Sequence, residues 1–251
     1  MRDRVVHHAL HRVLAPDLNR SFLDQSYACL PGRGSHRAVL RFQRELRRWR
    51  WVLALDVRHY FYRVDRAVLA RLLFRKLPEP RLQRLLERVL ESGADLYRDP
   101  ALARWLGLEG HREPGRGLPI GNLTSQWWGN LYLDGADHFA KRVLQVPSYQ
   151  RYLDDLTLFA DDREALLEAR DRIGAWLAAE RGLELKDPGA RPARTARRGF
   201  RYLGSRVSRA AIAPAGRARL RLRRALPRRA ADPERLRVAL ESAAALWRFG
   251  S

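Results

Sequence analysis

The sequence predicts an α+β fold, an antiparallel sheet packed on helices, and three observations lead to it. The run from Tyr149 to Ala160 is apolar and aromatic except for two adjacent carboxylates, Asp154 and Asp155, and reads as a β-hairpin with its turn at those two residues. From Trp51 to Val57 the chain alternates: Trp51, Leu53 and Leu55 take one side and Val52, Ala54 and Asp56 the other, as in a strand that ends on a carboxylate. Around these runs, apolar residues recur at helical spacing, and Gly or Pro punctuates the joins.

In chain order, residues 1–14 place Val5, Val6, Ala9, Leu10, Val13 and Leu14 at helical spacing, with His7 and His8 as polar helix positions. A loop from Ser26 to His36 contains Gly32, Arg33 and Gly34; it reads either as a phosphate-holding turn or as a plain one. The helix after it carries Val39, Phe42, Leu46 and Trp49 on one face, and Arg41, Arg44, Arg47, Arg48 and Arg50 suit a basic track for a phosphate backbone. Asp56 then ends its strand beside Tyr60, Phe61 and Tyr62, where a carboxylate is expensive to desolvate unless paired or metal-bound; capping the next turn is its other reading. Asp65 is placed to cap a helix bearing Val68, Leu69, Leu72 and Leu73.

Residues 80–92 read as a further helix, and residues 93–117 as an irregular connection. Residues 117–126 form a loop rich in backbone-permissive residues that leads into a helix with Trp127, Trp128, Leu131 and Phe139 as core positions. Beyond the hairpin, Asp161 and Asp162 form a second acidic pair, read as a helix N-cap with Glu164 completing a capping box. The helix over residues 164–180 turns Leu166, Ile173 and Leu177 inward and stops at Gly182. Residues 191–198 read as a basic linker, residues 199–207 as a strand or hairpin, and an Arg-laden helical region follows a boundary near Ser208.

Composition narrows the chemistry. The 251 residues carry a net charge of +21 and a pI near 11.4, an excess that self-repels unless a polyanion neutralises it, and nucleic acid is the obvious one. No apolar run is long enough for a membrane-spanning helix and no signal-peptide pattern opens the chain, so a cytoplasmic location with no membrane partner is expected. Cys29 is the single cysteine, which excludes an internal disulfide and a cysteine-based metal site; it reads as a small core residue. Two like charges at Asp154 and Asp155 repel each other, and a site that keeps both ionised supplies a cation; hard oxygen ligands on a tight turn suit Mg²⁺.

Taken together, these motifs resemble the reverse transcriptases. Residues 152–155 resemble the family's Tyr-x-Asp-Asp box, residues 53–61 the strand carrying its first catalytic aspartate, residues 117–126 its nucleotide-pocket motif, and residues 199–207 its primer grip, with Leu203 and Gly204 at the tip. The resemblance implies a right-hand polymerase palm: partial fingers over 1–50, a palm over 51–207 with a fingers insertion near 80–118, and a short helical thumb over 208–251. Within the family, Ile120 before Gly121 and Gln126 after Ser125 resemble the diversity-generating retroelement group, a pattern that bacterial defence members share. Ile120 cannot hydrogen-bond an incoming nucleotide as the more usual Gln would, which predicts weaker discrimination. The family's basic fingers strand has no counterpart before Arg2, and the thumb reads as short.

The implied reaction is template-directed nucleotidyl transfer. Asp56 and Asp154 would bridge two Mg²⁺ ions, with Mn²⁺ able to substitute, Asp155 as an auxiliary ligand and the Val57 carbonyl completing the shell. Phe61 would reject a ribose 2′-hydroxyl, Arg58 would meet the triphosphate or solvent, Ile120, Gly121 and Gln126 would line the nucleotide pocket, and Lys186 resembles a lysine of a later family motif. Tyr152, Leu203, Gly204 and Arg33 would meet primer or template. The implied partners are an RNA template, a DNA or RNA primer, dNTPs and a basic accessory protein; a catalytically impaired nucleic-acid-binding module and a template-independent polymerase are the competing readings.

Overall fold

The computed structural model describes residues 2–92, 101, 104, 114–187, 189, 192–215 and 237. In order, its elements are α1 (Arg2–Asn19), α2 (Ser35–Arg48), β1 (Trp51–Asp56), α3 (Tyr60–Arg63), α4 (Arg66–Lys76), α5 (Pro80–Glu91) and α6 (Leu123–His138). A π-helical turn (Phe139–Val143) extends α6; then come β2 (Ser148–Tyr152), β3 (Asp155–Ala160), α7 (Arg163–Arg181), β4 (Arg194–Thr195), β5 (Phe200–Tyr202), β6 (Ser205–Val207) and β7 (Ile212–Pro214).

Two antiparallel sheets result. The larger has the order β2-β3-β1-β4 and the smaller β5-β6-β7. Period-two alternation divides the larger sheet between two cores. Leu53 and Leu55 of β1 and Leu156 and Leu158 of β3 pack on the helical side with Leu14 and Leu18 of α1, Trp128 and Leu131 of α6, and Ile173 and Leu177 of α7. On the opposite side, Val52 and Phe159 join Phe42 of α2 and Phe200, Tyr202 and Val207 of the small sheet. Phe42 anchors this second core: its ring stacks on Tyr202 at 4.4 Å and meets Phe159 and Phe200 edge-on at 5.3 and 5.7 Å. Arg209 fastens the same junction, donating from Nε to the Leu46 carbonyl (2.7 Å) and from Nη2 to the Trp49 carbonyl (2.9 Å). This cover reaches only one end of the sheet, and at the other end Ala54 is exposed and Asp56 half-buried.

Helix ends follow the expected chemistry. Asp65 caps α4 by accepting from the Val68 N–H at 3.0 Å, and Gly182 ends α7 at φ 60. Several expectations need correction. The hairpin turn is Leu153–Asp154, because Tyr152 pairs with Asp155, which is already the first residue of β3. α1 runs on through Pro16 to Asn19, and its buried stripe is His7, Leu10, Leu14 and Leu18, leaving Val5 and Val13 exposed. His7 belongs there because its Nδ1 meets the Thr124 hydroxyl at 2.8 Å in the core.

Asp162 is the cap of α7 and Glu164 lies two residues on, one short of a capping-box position; the Glu164 carboxylate instead pairs with Arg163. Part of the basic linker is the edge strand β4, paired with Trp51 and Val52. The small sheet continues past Ser208 to Pro214, so that boundary falls inside a folded unit. Cys29 is half-buried at φ 53 rather than a core residue. The Arg-rich helical region (216–251, save 237) and most of the connection at 93–113 lie outside the described residues.

Candidate active site

β1 and β3 end together. Their register sets Asp56 directly opposite Asp155, and the Val57 N–H reaches the Asp154 carbonyl at 3.3 Å, so three aspartates stand at one edge of the sheet. A cleft of about 470 Å³ opens there, lined by Asp56, Val57 and Arg58, the aromatic turn His59–Tyr62, Ile120, Asp154, Lys186 and Asp187. Lys186 is brought in by backbone pairing. Its N–H donates to the Asp56 carbonyl at 2.7 Å and the Arg58 N–H donates to the Glu184 carbonyl at 2.8 Å, a pairing that does not use the Val57 carbonyl.

Asp154 differs electrostatically from an ordinary surface carboxylate. Burial raises its pKa first of all, its own backbone N–H lowers it, Asp56 raises it and Arg151 lowers it. A cation beside Asp56 and Asp154 would relieve both the desolvation and the repulsion. Among the described residues, no group of three His, Cys, Asp or Glu side chains forms a ready-made metal cage. The donors still suit a hard divalent ion: Asp56, Asp154 and Val57 all line the cleft and offer oxygen, whereas Asp155 is exposed and outside the lining.

The roof is aromatic. Buried Tyr60 donates its hydroxyl to the Gly129 carbonyl of α6, and Phe61 packs edge-on to it at 5.2 Å. The loop expected to form the nucleotide pocket latches onto this turn, with Gly117 N–H on the Val64 carbonyl (2.8 Å) and Leu118 N–H on the Phe61 carbonyl (2.7 Å). Ile120 then stands 58% exposed in the cleft, and Gly121 takes φ +98, a conformation that residues with a Cβ rarely adopt.

Of the sequence-derived site residues, Asp56, Val57, Arg58, Phe61, Ile120, Asp154 and Lys186 share this cleft. Gln126 lies off it, accepting from Cys29 Sγ at 3.3 Å, and Tyr152 packs against the second core. Leu203 and Gly204 form the β5–β6 turn at φ 44 and φ 80, on the small sheet. Arg33 departs from expectation: its guanidinium donates to the carbonyls of Leu23 (2.6 Å) and Ser26 (2.7 Å) and pairs with Asp24 (3.0 Å), stapling its own loop rather than facing outward for a phosphate. Arg58 pairs with Asp187 at 3.2 Å across the cleft mouth. The sequence reading passed over Asp187, Arg151 and Gly129; an Arg in the middle of an apolar strand was the available signal for the second.

Residues 1–207 match the profile of the family described as reverse transcriptase (RNA-dependent DNA polymerase). The chain belongs to the reverse transcriptase family. Over 144 residues it is 26% identical to protein YkfC of Escherichia coli, covering 55% of this chain and 35% of that protein. It is also 26% identical, over 144 residues, to the group II intron-encoded protein LtrA of Lactococcus lactis subsp. cremoris, covering 57% of this chain and 22% of LtrA. The chain thus spans well under half the length of these relatives. Among solved structures, apo telomerase from Candida tropicalis superposes with a TM-score of 0.55 at 11% identity, covering 83% of this chain and 40% of that one. Telomerase from Candida albicans, in complex with a fragment of telomeric RNA, gives 0.53, also at 11% identity, over 83% of this chain and 38% of that one. These likenesses speak for the palm-like fold and leave the diversity-generating subgroup unaddressed.

Proposed function

We propose that this chain is an RNA-directed DNA polymerase that adds deoxynucleotides to a primer 3′-hydroxyl on an RNA template. The observation that carries the reading is the meeting of Asp56 and Asp154 in one cleft beneath Phe61 and Ile120. Asp56, Asp154 and the Val57 carbonyl would hold two divalent cations, Mg²⁺ or Mn²⁺, which when bound activate the primer hydroxyl and steady the leaving pyrophosphate. Asp155, exposed at the edge, adds negative potential and an auxiliary ligand.

The protein's own part is positioning. Phe61 limits the space beside the sugar and so excludes a ribose 2′-hydroxyl, and Lys186 and Arg58 supply positive charge for a triphosphate, Arg58 after release from Asp187. The apolar Ile120 side chain and the Gly121 backbone form a wall without a side-chain hydrogen bond to the base, which supports the relaxed nucleotide selectivity expected of a diversity-generating or defence-type member. Tyr152, Leu203 and Gly204 are proposed to meet the primer, Gln126 the nucleotide side of its loop, and a basic accessory protein to deliver template, which co-purification tests.

The deciding experiment extends a labelled DNA primer on an RNA template with Mg²⁺ and dNTPs, comparing the wild type with Asp154→Ala/Asp155→Ala. Extension by the first and none by the second is expected. Equal binding of primer-template with no extension by either would leave a nucleic-acid-binding module.

A further inference from the structure

Arg151 lies in β2, two residues before the turn, and its side chain is fully buried. A guanidinium is retained in such a place only when its donors are met. Nε and Nη2 each donate to one oxygen of Asp137 at 2.7 Å; Nη1 donates to Asn130 Oδ1 at 3.0 Å and Nη2 to the Asn130 carbonyl at 3.3 Å. Asp137 is itself fixed by the Tyr149 hydroxyl at 2.7 Å, and the Asn130 amide donates to the Ala28 carbonyl. These contacts make a staple between α6 and β2.

A staple alone does not account for the remaining contact. Arg151 Nη1 also donates to the Leu153 carbonyl at 3.0 Å. Leu153 occupies φ 53, a left-handed conformation that a leucine adopts only when its surroundings enforce it. Its carbonyl shares one rigid peptide plane with the Asp154 N–H. That plane ends on the Asp154 Cα, so its tilt sets the direction in which the Asp154 side chain leaves the turn. Orientation therefore passes from guanidinium to carbonyl, through the rigid peptide plane, to the Asp154 side chain.

We propose that Arg151, held by Asp137 and Asn130, is a positioning residue that clamps the Leu153–Asp154 peptide and fixes the Asp154 carboxylate toward Asp56. The proposal rests on the reading of Asp154 as a catalytic carboxylate. Besides Arg151, the charged and titratable groups around Asp154 are Asp56 on β1, Tyr60 on α3, and Lys186 and Asp187 across the cleft. Arg151 donates to the turn itself, at the Leu153 carbonyl.

The test replaces the buried ion pair by apolar groups of similar size, Arg151→Met/Asp137→Leu/Tyr149→Phe, in the full chain. Exchanges of this kind are often neutral for stability, so the fold persists while the Leu153 carbonyl loses its donor. The expected result is a normal melting transition, a kcat for primer extension about 10²-fold lower and a dNTP KM changed by less than about threefold. Wild-type kcat would make the network a staple and nothing more. Should the triple variant fail to melt cooperatively, Arg151→Lys keeps the charge and loses the fork; the same fall in kcat at constant KM supports the clamp, and full kcat overturns it. Asp154→Ala runs alongside: extension at the wild-type rate there refutes the catalytic reading of Asp154 and the clamp with it, whereas an inactive Asp154→Ala beside a fully active triple variant removes the clamp alone.

Discussion

β3 has an aspartate pair at each end, and the two pairs have opposite fates. Asp161 and Asp162 are exposed, and backbone N–H groups take both carboxylates: Arg50 N–H reaches Asp161 Oδ1 at 2.9 Å and Glu164 N–H reaches Asp162 Oδ1 at 2.9 Å. Asp154, on the turn at the other end, faces Asp56 and a cleft, and burial raises its pKa. One dipeptide is a joint and the other sets a carboxylate on a cleft. The difference comes from the neighbours that folding supplies, namely β1 and the α6 residues Asn130 and Asp137 that hold Arg151 under the turn, and not from the dipeptide itself.

Substitution at each pair should break the comparison most sharply. Asp154→Ala is expected to lower kcat for primer extension by roughly 10⁴-fold, while Asp161→Ala/Asp162→Ala leaves kcat within about twofold, both read in single-turnover extension. Phe61→Ala should raise ribonucleotide over deoxynucleotide incorporation by about 10- to 100-fold, measured as the ratio of kcat/KM values. Gly129→Ala should act on the same ratio more weakly. An added Cβ would meet Tyr60 Cε1 at 3.3 Å and Phe61 Cε1 at 3.5 Å, so the aromatic turn must shift by tenths of an ångström, and a few-fold change is expected.

Stability and pH sharpen the contrast further. The folded state raises the Asp154 pKa above its unfolded value near 3.9, so its ionisation opposes folding, with no penalty below about pH 4 and a growing one as pH rises through the folded pKa. Asp154→Asn should therefore melt higher than wild type at neutral pH, with the advantage vanishing near pH 4, as followed by thermal unfolding across pH. Asp162→Ala should do the reverse and destabilise by about 1 kcal/mol through the lost cap, a fall in Tm of about 2–4 °C.

Much of the fold is legible in local pattern. The amphipathic spacing of Val39, Phe42 and Leu46, the cap at Asp65, the stop at Gly182 and the strand over Trp51–Asp56 all stand where the sequence puts them, because each depends on residues within one or two turns. Errors came where a distant partner decides. The turn moved by one residue because Asp155 is held in β3 opposite Asp56 of β1, and part of the basic linker became β4 because Trp51 and Val52 were available to pair. Arg33 and Arg151 look alike on the page, yet one staples its own loop and the other is buried beneath the Leu153–Asp154 turn.

For the candidate site, the sequence by itself determined which side chains could do the chemistry: carboxylates at the end of an apolar strand and in a hairpin, an aromatic turn after the first, and a Gly-bearing loop with Ile120 in place of a polar contact. Only the tertiary structure decided their arrangement. It put Asp56 across from Asp155, turned Asp154 into the cleft while leaving Asp155 at the edge, drew in Lys186 and Asp187, and set Arg151 under the turn. The physical reason is range. Propensity and periodicity act over a few residues, whereas the field and geometry at Asp154 are sums over groups that close packing alone brings together.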